Sequence, residues 1–273
     1  MKACDKSAAP VQWRPSRPLL RAFNWYGAWY LWLHFRSLRI AHAERLAEAS
    51  RNRQSVPTII FLNHASWWDP LVCIRIARRL LPAGEHYAPM EASALARYRF
   101  FGRMGMFPVK VGSTRGALSF LRTAQDILGS PNSVLWITPQ GRFTDVRCRP
   151  VELMPGLGAL VRRLPRCRLI PLAIEYTFWD ERLPEVLCNF GAPIEVRDGR
   201  ERSAGDWTQE LARPLEMTMD ELAALAQTRD PKNFQAFASR SVGVGGIYQL
   251  WLHARARLRG KDFHPEHGSV GDR

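Results

Sequence analysis

A histidine and an aspartate suited to acid–base chemistry stand five positions apart, at His64 and Asp69. A strand-like apolar segment at 58–62 precedes them, and a helix-like run at 71–81 follows. On one helix the two side chains would lie on different faces, but at a strand-to-loop-to-helix corner they can turn toward each other. Asp69 would then accept a hydrogen bond from one imidazole nitrogen, leaving the other nitrogen of His64 free to take a proton.

Asp69 also has a simpler explanation. Aspartate followed by Pro70 is a favourable helix start, with the aspartate at the N-cap and the proline at the first helical position. A lone histidine in a loop usually has a surface or packing role. Both roles of Asp69 can hold together, so the interpretation depends on what lies downstream.

Two further loops carry polar groups. The segment 99–110 contains two glycines and a proline, which predict a closely packed loop that enters a short strand and ends at Lys110. After a buried strand at 133–138 comes Pro139-Gln140-Gly141-Arg142. Gly141 allows close backbone approach, and the Arg142 guanidinium can grip an oxyanion with two hydrogen bonds. The alternative is an ordinary glycine turn beside a solvated arginine.

Strand-like and helix-like segments alternate through the middle of the chain. Further strands are predicted at 86–90, 168–175, 185–190 and 193–196, and further helices at 115–128, 155–164 and 207–227. This order predicts an α/β fold with a central mixed, largely parallel sheet flanked by helices. Pro171 suggests that its strand lies at an edge or ends there, and Pro214 suggests a break or a second start in the helix at 207–227.

The amino-acid composition indicates which classes of binding partner to expect. Lys and Arg number 39 against 25 Asp and Glu, a formal charge of +14, so an anionic partner is expected: nucleic acid, anionic lipid, or a phosphorylated or CoA-type substrate. The ten tryptophans favour a membrane surface among these. The five cysteines form no C-x-x-C pair, which fits a reducing cytosol without disulfides or structural zinc.

Both ends of the chain carry features suited to a membrane surface. Aromatic residues fill 19–40, with Trp25, Trp29 and Trp32 on one helical face. The apolar stretch is shorter than the roughly 20 residues of a spanning helix, so we expect a helix in the membrane interface or one docked on the domain, rather than a hairpin or tilted inserted helix. Residues 247–258 predict a basic amphipathic helix, again for a membrane or for packing.

The predicted organisation has three regions. An N-terminal tail and membrane-associating helical region spans 1–50, the α/β domain spans 51–230, and the basic amphipathic helix and tail span 231–273. The first residues lack the apolar core of a signal peptide. Together these features predict a protein at the cytoplasmic face of the cell membrane, peripheral or shallowly inserted.

Four blocks in order resemble the glycerolipid acyltransferase family, typified by bacterial 1-acyl-glycerol-3-phosphate acyltransferase. They are residues 63–70 with the pattern N-H-x-x-x-x-D, residues 105–110 (Gly-Met-Phe-Pro-Val-Lys), residues 139–142, and residues 169–173 (Leu-Ile-Pro-Leu-Ala). Residues 190–194 resemble a later segment of the family. The similarity covers about 57–196, and its strength lies in the order of the blocks.

The resemblance implies transfer of a fatty acyl group from acyl-CoA or acyl-carrier protein to a lipid hydroxyl. His64 would be the general base and Asp69 its orienting partner. Substrate contacts would come from five residues: Asn63, Lys110, Gln140, Gly141 and Arg142. Backbone N–H groups near Gly141 would hold the oxyanion. The resemblance implies no metal and no cofactor beyond the acyl donor.

Three departures from the family pattern concern the acceptor. Gln140 stands where the family has glutamate, the threonine before Arg142 is missing, and Lys110 replaces an arginine. The departures leave two kinds of acceptor open: lysophosphatidic acid, as in the family, or a different acceptor such as a lyso-ornithine lipid, a glycolipid or a glycosylated terpenoid.

Parts of the sequence are also compatible with two other functions. The first is an inactive lipid- or membrane-binding protein that kept the fold, and the intact His64 and Asp69 argue against it. The second is nucleic-acid binding, which the charge alone suggests but no sequence motif supports.

Overall fold

The computed structural model describes residues 13–51, 56–130 and 132–239. Within them the strands are β1 (Ser37–Ala41), β2 (Thr58–Leu62), β3 (Glu85–Glu91), β4 (Met106–Val109), β5 (Ser133–Ile137), β6 (Cys167–Thr177), β7 (Glu185–Phe190), β8 (Ile194–Val196) and β9 (Gln235–Ser239). The helices are α1 (Arg17–His34), α2 (Ala43–Arg51), α3 (Asp69–Leu80), α4 (Ala92–Arg97), α5 (Thr114–Leu128), α6 (Gly156–Val161) and α7 (Ala204–Thr228), with short 3-10 segments at Arg99–Met104, Gly199–Glu201 and Pro231–Asn233.

The strands form one mixed sheet in the order β4-β3-β5-β2-β6-β7-β1-β9, and β8 pairs with the first residues of β6. The neighbours from β4 to β6 run parallel, as do β7 and β1. The pairings β6–β7, β6–β8 and β1–β9 are antiparallel. The predicted α/β fold with a largely parallel sheet is therefore confirmed.

Strand β2, which leads into the His64 corner, is buried on both faces. Its alternate side chains enter different layers, as the pleat of a strand requires. Ile59 and Phe61 pack in the cluster that includes α5, α6 and α7. Ile60 and Leu62 pack in the cluster that includes α1 and α3. Because both layers hold β2, the corner that follows it starts from a rigid position.

Pro171 lies inside the sheet, so the prediction of an edge or a strand end was wrong. Strand β6 runs between β2 and β7. The Pro171 carbonyl accepts a hydrogen bond from the Gly191 N–H at 2.9 Å, and N–H and C=O groups of one strand residue face the same side. On that side β8 pairs with 167–169 and β7 with 172–177. The Pro171 nitrogen, which carries no hydrogen, therefore faces the gap between β8 and β7, where no hydrogen bond of the sheet is lost.

Helix α7 continues through Pro214, so the predicted break is absent. A capping box between Ser203 and Asp206 fixes its start. Its buried residues recur at helical spacing: Trp207, Leu211, Leu215, Thr218, Met219, Leu222 and Ala226. Packing of this long face against the sheet and α6 outweighs the local cost of one proline.

The N-terminal region differs from its prediction in one respect. The aromatic helix ends at His34, and residues that we expected to continue it form β1, which pairs with β7 and β9. The sheet thus includes β1 from the predicted N-terminal region and β9 from the predicted C-terminal region. The division into three regions stays a prediction. The predicted C-terminal basic helix at 247–258 lies outside the described residues. Among the described helices, none has the length and apolar character needed to cross a bilayer.

Candidate active site

Asn63, which directly follows β2, binds the backbone of the neighbouring strand β6. Its side-chain nitrogen donates to the Ile174 carbonyl at 2.9 Å, and its side-chain oxygen accepts from the Ile174 N–H at 2.8 Å. The residue is only 1% exposed. Both ends of the amide are engaged, so in this geometry Asn63 positions the loop that carries His64. Its expected contact with substrate stays a prediction.

His64 and Asp69 meet as the sequence suggested. With its proton on Nδ1, the imidazole donates to Asp69 Oδ2 at 2.8 Å. The Ser66 backbone N–H donates to the same oxygen at 3.1 Å. Asp69 is the first residue of α3, with Trp68 rather than Asp69 at the N-cap. The carboxylate therefore lies at the helix end that favours negative charge.

His64 and Asp69, which together form the dyad, differ in exposure. The side chain of Asp69 is 1% exposed, whereas that of His64 is 21% exposed. Nε2 of His64 has no hydrogen-bond partner in the part of the chain that the structure describes. A buried carboxylate thus holds an imidazole whose second nitrogen is available to a ligand.

A third group binds Asp69, and the sequence analysis missed it. The Tyr176 hydroxyl donates to Asp69 Oδ1 at 2.7 Å. Burial, followed by the charge of Asp69, raises the pKa of Tyr176 well above its usual value, so the phenol stays protonated and remains a donor. The only local sequence signal was strand alternation, which places Tyr176 on the same face of β6 as Ile174.

The loop after β5 holds the backbone of His64 from both sides. Gln140 Oε1 accepts from the His64 N–H at 2.8 Å, and the Thr144 N–H donates to the His64 carbonyl at 2.9 Å. The Phe143 ring lies against the imidazole, with 4.2 Å between centroids. Gln140 is 7% exposed. The third block of the family resemblance therefore contributes to the site by orienting His64.

Gly141 needs to be glycine for two reasons. Its φ is +67°, and an added Cβ would lie 2.1 Å from Met154 Sδ. Its N–H already donates to the Thr138 carbonyl at 3.1 Å. The expectation of an oxyanion site near Gly141 thus gains no support from its own N–H group in this geometry.

Arg142 and Lys110 extend into solvent. The Arg142 side chain is 74% exposed and lies 3.5 Å from Glu152, an equally exposed partner. Lys110 is exposed directly after β4, which lies three strands from β2. At the usual strand spacing this is roughly 14 Å across the sheet. The structure thus places Arg142 on the loop beside the dyad and Lys110 at a distance from it.

Two buried thiols lie near Asp69. Burial, followed by the charge of Asp69, raises the pKa of Cys73 and of Cys188. Both are fully or nearly fully shielded from solvent. Buried protonated thiols are poor nucleophiles. In the described ranges, no cluster of His, Cys, Asp and Glu could hold a metal ion.

Aromatic side chains surround the other side of the corner. Trp68 contacts the rings of Tyr30, His34 and Phe35, which belong to the last turns and the C-cap of α1. Close to Trp68, the Trp67 ring is stacked on it and is 61% exposed. Helix α1 is therefore docked along one face beside the dyad.

The outer face of α1 is exposed and aromatic. Trp25, Tyr26, Trp29 and Trp32 are each 44–74% exposed. They recur at helical spacing, so they lie on one side of the helix. An exposed aromatic surface thus adjoins the corner that carries His64.

Residues 43–175 match the model of the Acyltransferase family. No curated protein matches the chain. The matched segment contains His64, Asp69 and the loop after β5, and Tyr176 follows it directly.

We predict that Asn63→Ala lowers the free energy of unfolding by about 1–3 kcal/mol, because buried polar groups of Ile174 lose their partners. Urea unfolding with linear extrapolation measures this change. The control is Asn24→Ala, since Asn24 accepts a longer bond of 3.4 Å from Arg75. Unchanged stability in Asn63→Ala would contradict the positioning role.

Proposed function

Because residues 43–175 belong to the Acyltransferase family, we propose that this protein transfers a fatty acyl group from acyl-CoA or acyl-carrier protein to a hydroxyl of a lipid acceptor. The observation that carries the proposal is the 2.8 Å hydrogen bond between His64 Nδ1 and the buried Asp69. It leaves Nε2 as the basic atom. An inactive binding protein would have no need of this arrangement.

The proposed reaction is a direct transfer. Nε2 of His64 removes the proton from the acceptor hydroxyl while the oxygen attacks the thioester carbonyl. Asp69 holds the tautomer and stabilises the imidazolium that forms. When the tetrahedral intermediate collapses, the C–S bond breaks and the departing thiolate takes the proton from Nε2. The products are the lipid ester and the free thiol of the donor.

The described residues favour this route over a covalent acyl-enzyme. The thiols near Asp69 are buried and their pKa values are raised. The hydroxyl of Tyr176 is committed to Asp69. The acceptor hydroxyl is therefore the nucleophile in our proposal.

Gln140 supports the same proposal from the backbone side. Its oxygen accepts the His64 N–H, which is a role that the glutamate of the family could fill equally well. A neutral amide adds no second negative charge beside the imidazole. The substitution at this position therefore preserves the orientation of His64.

We also propose that the acceptor differs from lysophosphatidic acid. Arg142 is solvent-exposed beside an exposed glutamate, and Lys110 provides a point charge where the family has a planar guanidinium. These features weaken bidentate recognition of a phosphate close to His64. The acceptors that we propose are a lyso-ornithine lipid, a glycolipid or a glycosylated terpenoid, because binding them does not require a clamp on a phosphate monoester.

The location that we propose is the cytoplasmic face of a membrane. The exposed aromatic face of α1 adjoins the His64 corner, and Arg21 lies exposed on the same helix. Aromatic rings and basic groups suit the interface of an anionic bilayer. A lipid acceptor held in the bilayer would then reach His64 with little displacement.

We predict that the purified protein forms an acylated lipid and that His64→Ala loses about 10²–10⁴-fold of this activity. The assay combines acyl-CoA or acyl-carrier protein with lysophosphatidic acid, lyso-ornithine lipid, glycolipid and hydroxylated terpenoid acceptors, with detection by mass spectrometry. His42→Asn is the control, because His42 pairs with Glu44 and Glu221 away from the dyad.

The outcomes separate the alternatives. Equal product from wild type and His64→Ala would contradict a catalytic dyad. A clear preference for lysophosphatidic acid would contradict the acceptor proposal alone. Lipid binding without turnover in either form would favour the inactive binding protein.

For membrane association, we predict that Ala at Trp25, Trp29 and Trp32 together weakens binding to phosphatidylglycerol vesicles by about tenfold or more, since each exposed indole contributes on the order of 1 kcal/mol. Vesicle co-sedimentation measures the affinity. The matched control carries Ala at Leu118, Phe178 and Met217, which are exposed apolar residues elsewhere. Equal loss in both triple variants would contradict a specific role for α1.

A further inference from the structure

We propose that Tyr176 is a positioning residue that sets the orientation of Asp69 and, through it, of His64. This inference rests on the acyl transfer proposed above. Its basis is the 2.7 Å hydrogen bond from the Tyr176 hydroxyl to Asp69 Oδ1. The opposite oxygen, Oδ2, accepts from His64 Nδ1 and from the Ser66 N–H.

The burial of Asp69 makes these donors necessary. The carboxylate is 1% exposed, so water cannot replace a lost hydrogen bond without rearrangement. Three donors share its two oxygens, and Tyr176 is the one that binds Oδ1. Since the carboxylate is planar, fixing Oδ1 also fixes the direction of Oδ2. The bond to Nδ1 therefore depends on a group that never touches the imidazole.

The structure holds Tyr176 firmly enough for this role. Two residues earlier in β6, Ile174 is tied to Asn63 through both of its backbone polar groups. Tyr176 itself pairs with Val186 in the ladder between β6 and β7. The Phe35 ring packs beside the Tyr176 ring, with 5.6 Å between centroids. Strand, loop and α1 thus converge on the phenol.

Loss of the hydroxyl has a specific consequence for catalysis. In Tyr176→Phe the carboxylate keeps donors on Oδ2 only, so Oδ1 no longer fixes its plane and its bond to Nδ1 lengthens or breaks. The imidazole then loses both its fixed tautomer and its orientation, which affects the chemical step. Substrate contacts are untouched, so kcat falls and KM is unchanged.

The first test uses the protein without substrate. In ¹⁵N-labelled protein we expect a slowly exchanging, downfield proton resonance from His64 Nδ1, assigned by its absence in His64→Ala. This resonance should be lost in Tyr176→Phe and retained in Tyr87→Phe. Tyr87 is the matched control, because it is also buried and donates to a carboxylate, Glu85, at 3.0 Å.

This experiment decides the proposal even if no acceptor is found. Persistence of the resonance in Tyr176→Phe, or its absence from the wild type, would overturn the positioning role. Its loss in both tyrosine variants would overturn it as well, since that pattern reflects general loosening. Failure of wild-type turnover would instead count against the proposed function.

The second test is a double-mutant cycle on the acyl-transfer rate. We expect Tyr176→Phe alone to lower kcat about tenfold, which corresponds to about 1.4 kcal/mol for one hydrogen bond to a charged group. Added to Asp69→Asn, the same change should have almost no further effect, because Tyr176 acts through Asp69. Independent, multiplicative losses would overturn the assignment.

Discussion

The buried carboxylate of Asp69 is the constraint on which the site depends. Placed at the first turn of α3 and shielded from water, it needs donors from within the protein. His64, Ser66 and Tyr176 supply them. The sheet, in turn, places β2 beside β6, so that the loop with His64 and the strand with Tyr176 meet. The need of the buried Asp69 carboxylate for hydrogen-bond donors thus links the secondary structure and packing to the proposed chemistry.

The dyad lies between two different surroundings. On one side, the loop after β5 holds the His64 backbone through Gln140 and Thr144. On the other, Trp68 packs against α1, whose outer face is exposed and aromatic. In the proposed reaction, a lipid acceptor held at the outer face of α1 would approach the imidazole from this side.

Local patterns were sufficient to predict the corner, the alternation of strands and helices, and the contact of His64 with Asp69. They failed where the structure depends on contacts between residues that are far apart in the sequence. Tyr176 lies 107 positions from Asp69, and the Asn63–Ile174 pair spans 111 positions, so neither has a local signal. Pro171 suggested an edge strand, because the sequence of β6 alone does not show that β8 and β7 leave a gap beside this residue. The strand β1 was missed because an aromatic helix leads directly toward it.

In the proposed reaction, Asp69 enables His64 to act as the base in acyl transfer. The most direct test is the steady-state rate of Asp69→Asn, which keeps the size of the side chain and an oxygen acceptor but removes its charge. We expect kcat to fall about 10²–10⁴-fold with unchanged KM for the acyl donor. A variant that transfers the acyl group as fast as the wild type would contradict it.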